Sequence, residues 1–302
     1  MIECKNLSHF YGSKAALSNV SFELPVGESV GLVGPNGAGK TTLLNILCGF
    51  LKPTKGTAQL FGYKPGATEL IGKVSALPQD AKLDPGLTIA EQLTFYGRLQ
   101  GFDSKQAEAE VIRVMEAVDL KNSLNEKPVA LSHGMGKRVV IAQALIGNPQ
   151  LIMLDEPTAG LDPVNTRNIR SIIAELSSET TFIISSHNLE ELDRLCPRII
   201  LLENGIIKSQ QTNQIENENS TRFITVQMEP CPTSELVAKL QALDGVVQVS
   251  SSQKNEFIIE YNSQIQPRMD QQIMRCLTDN DWNYRQLIQG KSLEEKLFFG
   301  EK

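Results

Sequence analysis

The amino-acid sequence predicts an α/β domain followed by a smaller α+β domain. Short β-rich runs alternate with helical stretches over residues 1–207. A polar segment without periodicity, KSQQTNQIENENS at residues 208–220, then interrupts this pattern and is interpreted as a linker. Residues 221–302 show a separate order of strands and helices. A chain of 302 residues is long enough for about two domains, each with its own core.

Composition and charge restrict the classes of function. The formal net charge is −6, which argues against nucleic acid as a partner. The longest apolar runs, such as residues 41–51, are much shorter than the roughly 20 residues that cross a bilayer. The start of the chain lacks the pattern of a signal peptide. Five scattered cysteines without a CxxC pair predict reduced thiols in the cytosol, and three dispersed histidines argue against a zinc site.

In the first region, the β-rich runs are short and apolar, as buried strands are. They are Ser29–Val33, Leu151–Leu154, Thr181–Ile184 and Ile199–Leu202. Residues 88–150 are expected to be helical throughout, within a helical insert at about 84–150. A capping box of Thr88 and Glu91 predicts the start of its first helix. No internal repeat is visible, so the region forms one unit.

The second region predicts a ferredoxin-like domain, because its elements follow the order βαββαβ. The predicted elements are a strand at 224–228, a helix at 236–243, a hairpin at 246–250 and 257–261, a helix at 267–278 and a strand at 282–288. A final helix is predicted from the capping box of Ser292 and Glu295. Nothing in this region has the residue pattern of a catalytic site.

A glycine loop at residues 34–41, GPNGAGKT, matches G-x-x-x-x-G-K-[ST] between a strand-like and a helix-like segment. Glycines allow backbone N–H groups to turn towards phosphate oxygens, and the following helix adds its positive dipole end. Lys40 is expected to reach the β- and γ-phosphates of ATP, and Thr41 to offer its hydroxyl to Mg²⁺. The candidate nucleotide-binding residues here are Gly34, Asn36, Gly37, Gly39, Lys40, Thr41 and Thr42. The flanking segments argue against the alternative, a glycine-rich turn with a chance lysine.

Asp155 and Glu156 follow the apolar run 151–154, so they lie at the carboxyl end of a predicted strand, where α/β sheets bind ligands. Asp155 is expected to hold the Mg²⁺ that Thr41 also contacts. Glu156 is expected to polarise the attacking water as a general base. Taken alone, the pair is also compatible with a solvated dipeptide before the turn at Pro157, but the glycine loop favours the catalytic interpretation.

The segment LSHGMGKR at residues 131–138 predicts an anion site at a helix start. Ser132 is a favourable N-cap, Gly134 allows close approach of the backbone, and the basic pair Lys137 and Arg138 follows. Lys40 is already expected to bind the phosphates of this chain's own nucleotide. A second site for the same kind of anion therefore needs an explanation.

Together these motifs resemble the ATP-binding cassette of ABC transporters, over roughly residues 1–207. LSHGM aligns with the family signature LSGGQ and departs from it at the third and fifth positions. The resemblance implies a P-loop NTPase fold with a RecA-like core, an antiparallel β edge and a helical subdomain. It also implies four roles: Tyr11 stacks on adenine, Gln79 senses Mg²⁺ and the attacking water, Asp162 belongs to the D-loop, and His187 is the switch histidine near the γ-phosphate.

The same resemblance explains the second anion site. Two copies of the chain would face each other head to tail, so that the signature of one copy, with Ser132 and Gly134, contacts the ATP held by the other. Asp162 of the D-loop is also expected to be a nucleotide-binding residue. The resemblance also implies a membrane-spanning permease as a partner, and hence a cytoplasmic location on the inner face of the membrane. The LSHGM variant and the ending SLEEKLFFG resemble exporter-type cassettes.

Three alternatives bear on this interpretation. The apolar side chains of residues 88–102 favour a permease contact at Phe95 and Tyr96, but a helix enclosed within the protein is equally compatible. A soluble ABC ATPase acting on ribosomes is the main alternative function, although such proteins usually carry two cassettes. A chromosome or repair ATPase is disfavoured because no sustained heptads separate the glycine loop from the signature.

Overall fold

The computed structural model describes residues 1–189, 192, 195–212, 221–230, 232–253 and 255–290. The chain divides into two compact units, Met1–Asn213 and Gln214–Lys302. Three features of the sequence analysis lie outside the described residues: most of the predicted linker (213–220), the helix predicted from Ser292 onwards, and Cys231.

The first unit contains a six-stranded sheet with mostly parallel strands. In sheet order, its strands are β5 (Val74–Leu77), β6 (Leu151–Asp155), β7 (Thr181–Ser186), β3 (Val30–Val33), β8 (Arg198–Glu203) and β9 (Ile206–Thr212). Only β9 pairs antiparallel to its neighbour. Strands β6 and β7 are buried along their whole length, as their continuous apolar runs indicate for a sheet covered on both faces.

Strand β9 extends through residues 208–212, which the sequence analysis assigns to the start of the linker. It pairs with β8, with Ser209 opposite Leu201 and Gln210 opposite Ile200. A strand at the edge of a sheet tolerates polar side chains, because one of its sides is unpaired. The polarity of this segment therefore indicated a linker where the structure has an edge strand.

A second, antiparallel sheet has the order β2 (Lys14–Leu24), β1 (Ile2–Tyr11) and β4 (Lys55–Leu60). Helix α1 (Lys40–Leu47) joins this sheet to β6 in one hydrophobic core, in which Leu43 and Leu47 are almost fully buried. Burial of each leucine contributes roughly 1.5–3 kcal/mol. This packing fixes the first turn of α1, where the glycine loop ends.

The helical insert consists of α2 (Ile89–Leu99), α3 (Ser104–Ala117) and α4 (His133–Leu145). The predicted capping box is confirmed: Thr88 Oγ1 accepts the Glu91 N–H at 3.2 Å, and the Glu91 carboxylate accepts the Thr88 N–H at 2.7 Å. The prediction that residues 88–150 are helical throughout is wrong, because turns and short 3₁₀ segments separate the three helices. Gly101 (φ 94°) and Asp119 (φ 55°) adopt left-handed conformations that end α2 and α3.

Helix α5 (Pro163–Leu176) follows β6. Asp162 is its N-cap, and Pro163 occupies the first helical position, where the missing N–H costs nothing. In the described part of the chain, no helix has the length and apolarity needed to span a bilayer.

The second unit has the order strand, helix, strand, strand, helix, strand. Its elements are β10 (Thr221–Met228), α6 (Thr233–Gln241), β11 (Val246–Gln253), β12 (Glu256–Asn262), α7 (Met269–Asp279) and β13 (Tyr284–Gln289). The strands form one antiparallel sheet with the order β11-β12-β10-β13. Alternate residues of β10, from Ile224 to Met228, pack in one core with Leu236 and Leu240 of α6.

Candidate nucleotide-binding and active site

The glycine loop connects β3 to α1 and passes close to neighbouring backbone. A Cβ atom on Gly34 would collide with the carbonyl oxygen of Leu202. Gly39 has φ 107°, and a Cβ there would lie 2.5 Å from the carbonyl oxygen of Ala16. Both glycines are therefore required by the packing of the loop as well as by any ligand. At Gly37, in contrast, a Cβ would meet no atom within 4 Å, so this residue borders open space.

Lys40 is a buried cation at the first position of α1, with 6% of its surface exposed. Its ammonium donates to the carbonyl oxygens of Gly34 at 2.7 Å and Pro35 at 3.3 Å. It also lies 3.4 Å from Oε1 of Glu156. A buried ammonium is tolerated when it is hydrogen-bonded and faces an opposite charge. Lys40 thus has a fixed position between the glycine loop and the acidic pair.

Thr41 and Asp155 meet as the sequence predicts. Thr41 Oγ1 donates to Oδ2 of Asp155 at 2.7 Å, and the other carboxylate oxygen accepts a short hydrogen bond from the hydroxyl of Ser185. Asp155 is 4% exposed. The described residues contain no cluster of three or more His, Cys, Asp or Glu side chains that could hold a metal. The Thr41 hydroxyl and the Asp155 carboxylate are nevertheless suited to Mg²⁺, which is usually bound by one or two carboxylates together with phosphates and water.

Glu156 is held in an unusual backbone conformation, with φ 50°. Its N–H donates to the Ser185 hydroxyl at 3.0 Å, which locks the turn after β6. Oε2 lies 2.9 Å from Nδ1 of His187. Because a carboxylate only accepts hydrogen bonds, Nδ1 is assigned as the protonated nitrogen. His187 is 60% exposed at its side chain, whereas Glu156 is 8% exposed.

The other carboxylate oxygen of Glu156, Oε1, faces a positive charge but accepts no hydrogen bond from the described residues. Lys40 at 3.4 Å is close enough for an ion pair, but Oε1 is buried and has no hydrogen-bond donor among the described residues. A buried carboxylate oxygen that accepts no hydrogen bond destabilises the folded protein, unless a ligand or a water molecule donates to it. This is the geometry expected of an acceptor that binds a water molecule.

One cleft of about 480 Å³ brings together most of the predicted nucleotide-binding residues. Its lining residues are Tyr11, Lys14, Ala16, Asn36, Gly37, Ala38, Gly39, Lys40, Thr41, Thr42, Gln79, Asp155 and Glu156. Tyr11 is 52% exposed and packs edge-on against His9, with ring centroids 4.8 Å apart. An exposed aromatic ring at one end and a buried cation at the other fit a nucleoside triphosphate.

Five predicted residues are absent from the lining of this cleft, as far as the structure describes it: Gly34, Ser132, Gly134, Asp162 and His187. Ser132 caps α4 by accepting the Met135 N–H at 3.2 Å. Asp162 caps α5 by accepting the Asn165 N–H at 3.0 Å. This hydrogen bond, followed by one from the Asn165 side chain, lowers the pKa of the Asp162 carboxyl. Both residues lie at helix starts, where N–H groups face outwards.

The basic pair after the signature has partners within the chain. Lys137 donates to the backbone carbonyl of Gln79 at 3.1 Å, and Arg138 donates to the backbone carbonyl of Val118 at 3.2 Å. From the sequence, the charges of these side chains favour an anion site at this helix start. In the structure, both instead join α4 to preceding loops.

Comparisons with known proteins identify the family of this chain. Residues 17–159 match the family model described as ABC transporter. The chain is 38% identical over 210 residues to the Nod factor export ATP-binding protein I of Burkholderia orbicola (strain AU 1054), an alignment that covers 68% of each protein. The chain belongs to the ABC transporter family. It is also 30% identical to the uncharacterized ABC transporter ATP-binding protein YdbJ of Bacillus subtilis (strain 168), over 94% of this chain and 89% of that protein.

Solved structures support the same fold for this ABC protein. A dimeric, post-hydrolysis structure of the ATP-binding cassette MJ0796 bound to ADP and Pi matches with a TM-score of 0.65 and 28% identity. The match covers 71% of this chain and all of that one. The fold is therefore that of an ABC cassette, with a mixed sheet and a helical insert. As a member of this family, the protein binds and hydrolyses ATP, and the transporter interpretation is favoured over a ribosomal one.

Some residues of this ABC ATPase site were missed by sequence reasoning. Ser185 contacts both Asp155 and the N–H of Glu156. The signal for it was a pair of serines that ends the apolar strand β7, beside β6 in the sheet. Lys14 and Ala16 line the cleft from β2, and nothing in their local sequence indicates this.

Proposed function

We propose that this chain is the ATP-hydrolysing subunit of an ABC exporter, with its cassette at residues 1–207. The observation that carries the proposal is the set of contacts around Glu156: Lys40 on one carboxylate oxygen and His187 on the other, beside the Thr41–Asp155 pair. This arrangement supplies a cation for phosphate, oxygen ligands for a metal and a general base in one place. A module that only binds nucleotide has no need of the base.

The proposed roles follow the cleft from end to end. Tyr11 stacks on the adenine, the glycine loop with Thr42 binds the phosphates, and Lys40 reaches the β- and γ-phosphates. Thr41, Asp155 and Gln79 would hold Mg²⁺, which when bound neutralises charge on the phosphates. Glu156 accepts a proton from the attacking water, and His187 orients the carboxylate through the 2.9 Å contact with Oε2.

We further propose that two copies of the chain enclose two ATP molecules. Ser132, Gly134 and Asp162 lie at helix starts outside the chain's own cleft, which supports a role for them at the cleft of a second copy. A shift between open and closed dimers from 1:99 to 99:1 needs about 5.5 kcal/mol. Two nucleotides share this difference. One or two charge-assisted hydrogen bonds of roughly 1.5–3 kcal/mol each, from Ser132 and its helix start to a γ-phosphate, are sufficient.

A membrane-spanning permease is the proposed partner, with the chain on the cytoplasmic face of the membrane. Helix α2 supports this, because it buries Ile89 and Leu93 while Phe95 and Leu99 are 56% and 66% exposed. The helix thus carries apolar side chains beyond those that its own core uses. Relatives named as export ATP-binding proteins support the direction of transport.

The second unit is proposed to be a ferredoxin-like domain at residues 221–302. The element order βαββαβ and the antiparallel sheet order β11-β12-β10-β13 support this topology. We propose that it strengthens or regulates the dimer, since its described residues, 221–230, 232–253 and 255–290, show no arrangement suited to catalysis. Removal of residues 221–302 would then lower ATP-dependent dimerisation while leaving ATP binding by the cassette intact.

The central experiment is ATP-dependent dimerisation of the Glu156→Gln variant, measured by light scattering. We expect a single chain without nucleotide and a dimer with ATP and Mg²⁺. A second substitution, Ser132→Ala, should weaken the dimer. A variant that stays a single chain at saturating ATP would contradict the proposal. To distinguish a permease partner from a ribosomal one, lysed cells are separated into membrane and ribosome fractions, and the tagged chain is isolated from each. Recovery with membranes supports a permease partner, and recovery with ribosomes supports a ribosomal one.

A further inference from the structure

Lys137 lies one turn after the Ser132 cap, on the helix that carries the signature. Its ammonium donates to the backbone carbonyl of Gln79 at 3.1 Å, across 58 positions of sequence. The side chain is half-buried, and burial lowers the pKa of its ammonium, although the charge of Asp80 opposes this effect. In the part of the chain that the structure describes, no carboxylate lies within 4.0 Å of the ammonium.

Partial burial of Lys137 carries a desolvation cost, which must be offset by the contacts that its ammonium gains. The contact that Lys137 makes is with main chain. It therefore fixes the peptide group of Gln79 and leaves the side chain of Gln79 free to line the nucleotide cleft. An anchoring contact with the side chain amide would have occupied the group that faces the cleft.

The far end of the same loop is also fixed to the helical insert. Gln92 is 4% exposed, and its side chain accepts the Asp84 N–H at 2.7 Å and donates to the carbonyls of Asp84 at 3.1 Å and Leu87 at 3.2 Å. The loop that begins at Gln79 is thus anchored to α4 by Lys137 and to α2 by Gln92. A displacement of this loop is expected to move the insert with it.

We propose that Lys137 is a positioning residue that couples the two nucleotides of the dimer, by fastening the Gln79 loop to the first turn of the signature helix. The proposal rests on the proposed function, in which Gln79 faces the chain's own ATP and Ser132 faces the ATP of the second copy. A change in the position of Gln79 is then transmitted through one hydrogen bond to the helix start that contacts the other nucleotide.

The test compares Lys137→Met, which keeps the apolar stem and removes the donor, with Lys137→Arg, which keeps a donor. Lys121→Met is the matched control, because Lys121 is an exposed lysine of the same insert that pairs with Glu116 at 2.6 Å. If Lys137→Met lowers the melting temperature, Lys137→Gln, whose amide is too short to reach the carbonyl, replaces it.

The first readout is hydrogen exchange of the chain at a concentration where it is not dimeric, with and without ATP and Mg²⁺. In the parent protein and in Lys121→Met, ATP should protect the amides of residues 79–82 and of 133–137. In Lys137→Met, ATP should protect the first segment only, with an ATP affinity within about twofold of the parent. In Lys137→Arg, protection of both segments should return.

The second readout is the dependence of ATPase rate on ATP concentration in the dimer. Lys137→Met should lower the Hill coefficient from near two towards one, and turnover about tenfold, which corresponds to about 1.4 kcal/mol. A merely structural role would lower the amount of active protein and leave the Hill coefficient unchanged. The inference is overturned if Lys137→Met and Lys121→Met give the same protection and the same Hill coefficient. Failure of Glu156→Gln to dimerise would instead refute the proposed function, while hydrogen exchange of the single chain still decides the role of Lys137.

Discussion

Glu156→Gln is the substitution that most directly tests the proposed chemistry. The change keeps the size and shape of the side chain and removes its negative charge and its ability to accept a proton. In the structure, Oε2 accepts from Nδ1 of His187 at 2.9 Å, and Oε1 faces Lys40 at 3.4 Å. A glutamine can satisfy only one of these positions with its carbonyl oxygen and presents a donor group to the other. The general base is lost, and the amide nitrogen then faces another donor, either Nδ1 of His187 or the ammonium of Lys40.

The expected magnitude follows from the role of a positioned general base, which contributes about 10²- to 10⁴-fold in rate. This range equals roughly 3–5 kcal/mol of activation free energy. Binding of ATP should be unchanged or tighter, because the phosphate contacts of the glycine loop remain and one negative charge near the γ-phosphate is removed. The loss should therefore appear in kcat, with little change in the affinity for ATP.

The assay is single-turnover release of phosphate from bound ATP, with ATP affinity measured separately by calorimetry. Glu108→Gln, an exposed residue of α3, is the control for a carboxylate-to-amide change and should keep the parent rate. Retention of more than a tenth of the parent rate by Glu156→Gln would refute the assignment of Glu156 as the base. A parallel loss of ATP binding would show that its charge has a structural role in the cleft.

Three further predictions follow from the same structure. Ser132→Ala in the Glu156→Gln background should weaken ATP-dependent dimerisation by about 10- to 150-fold for each of the two sites, the equivalent of roughly 1.5–3 kcal/mol per site. Calorimetry should find unchanged ATP affinity for the single chain, and equal loss of both would contradict this role. Glu110→Gln should lower the free energy of unfolding at pH 7 by roughly 1–3 kcal/mol. The hydrogen bond from Arg113 lowers the pKa of the Glu110 carboxyl from its usual 4.5, so denaturant titrations should show the difference fully above about pH 4.5 and a smaller one as the pH falls through the folded-state pKa. Phe95→Asp should abolish co-purification with a permease and leave the ATPase rate of the isolated chain unchanged; retained co-purification would exclude α2 from that contact.

The parts of the site that the sequence predicts are those in which local pattern decides structure. The glycine loop follows a strand and begins a helix, so Lys40 and Thr41 are placed by the first turn of α1. Asp155 ends an apolar run, and a parallel strand that is buried on both faces places its last residue at the ligand-binding edge. Contacts between neighbouring strands are different. Ser185 reaches Asp155 because β6 and β7 are paired in a register that no local pattern specifies.

Long basic side chains limit what a motif can predict. Lys137 and Arg138 directly follow the signature, and their charges suggested an anion nearby. Their donors instead reach carbonyls 58 and 20 positions away in sequence. The charged end of a lysine or arginine side chain lies several ångströms from its Cα atom. Its partner therefore depends on which loop the fold brings within reach. The local sequence predicts that this helix start is positively charged, but it does not determine which groups the charged side chains contact.

The signature glycine illustrates how one residue type can satisfy two requirements. From the sequence, Gly134 was expected to allow close approach to a ligand. In the structure, a Cβ atom on Gly134 would collide with the side chain of Asn165, whose amide nitrogen also donates to Asp162 at 2.5 Å. A side chain at this position would therefore displace the side chain of Asn165, which lies in the first turn of α5. A substitution at Gly134 is thus expected to move Asn165 and to disturb its hydrogen bond with Asp162, even before a nucleotide is bound.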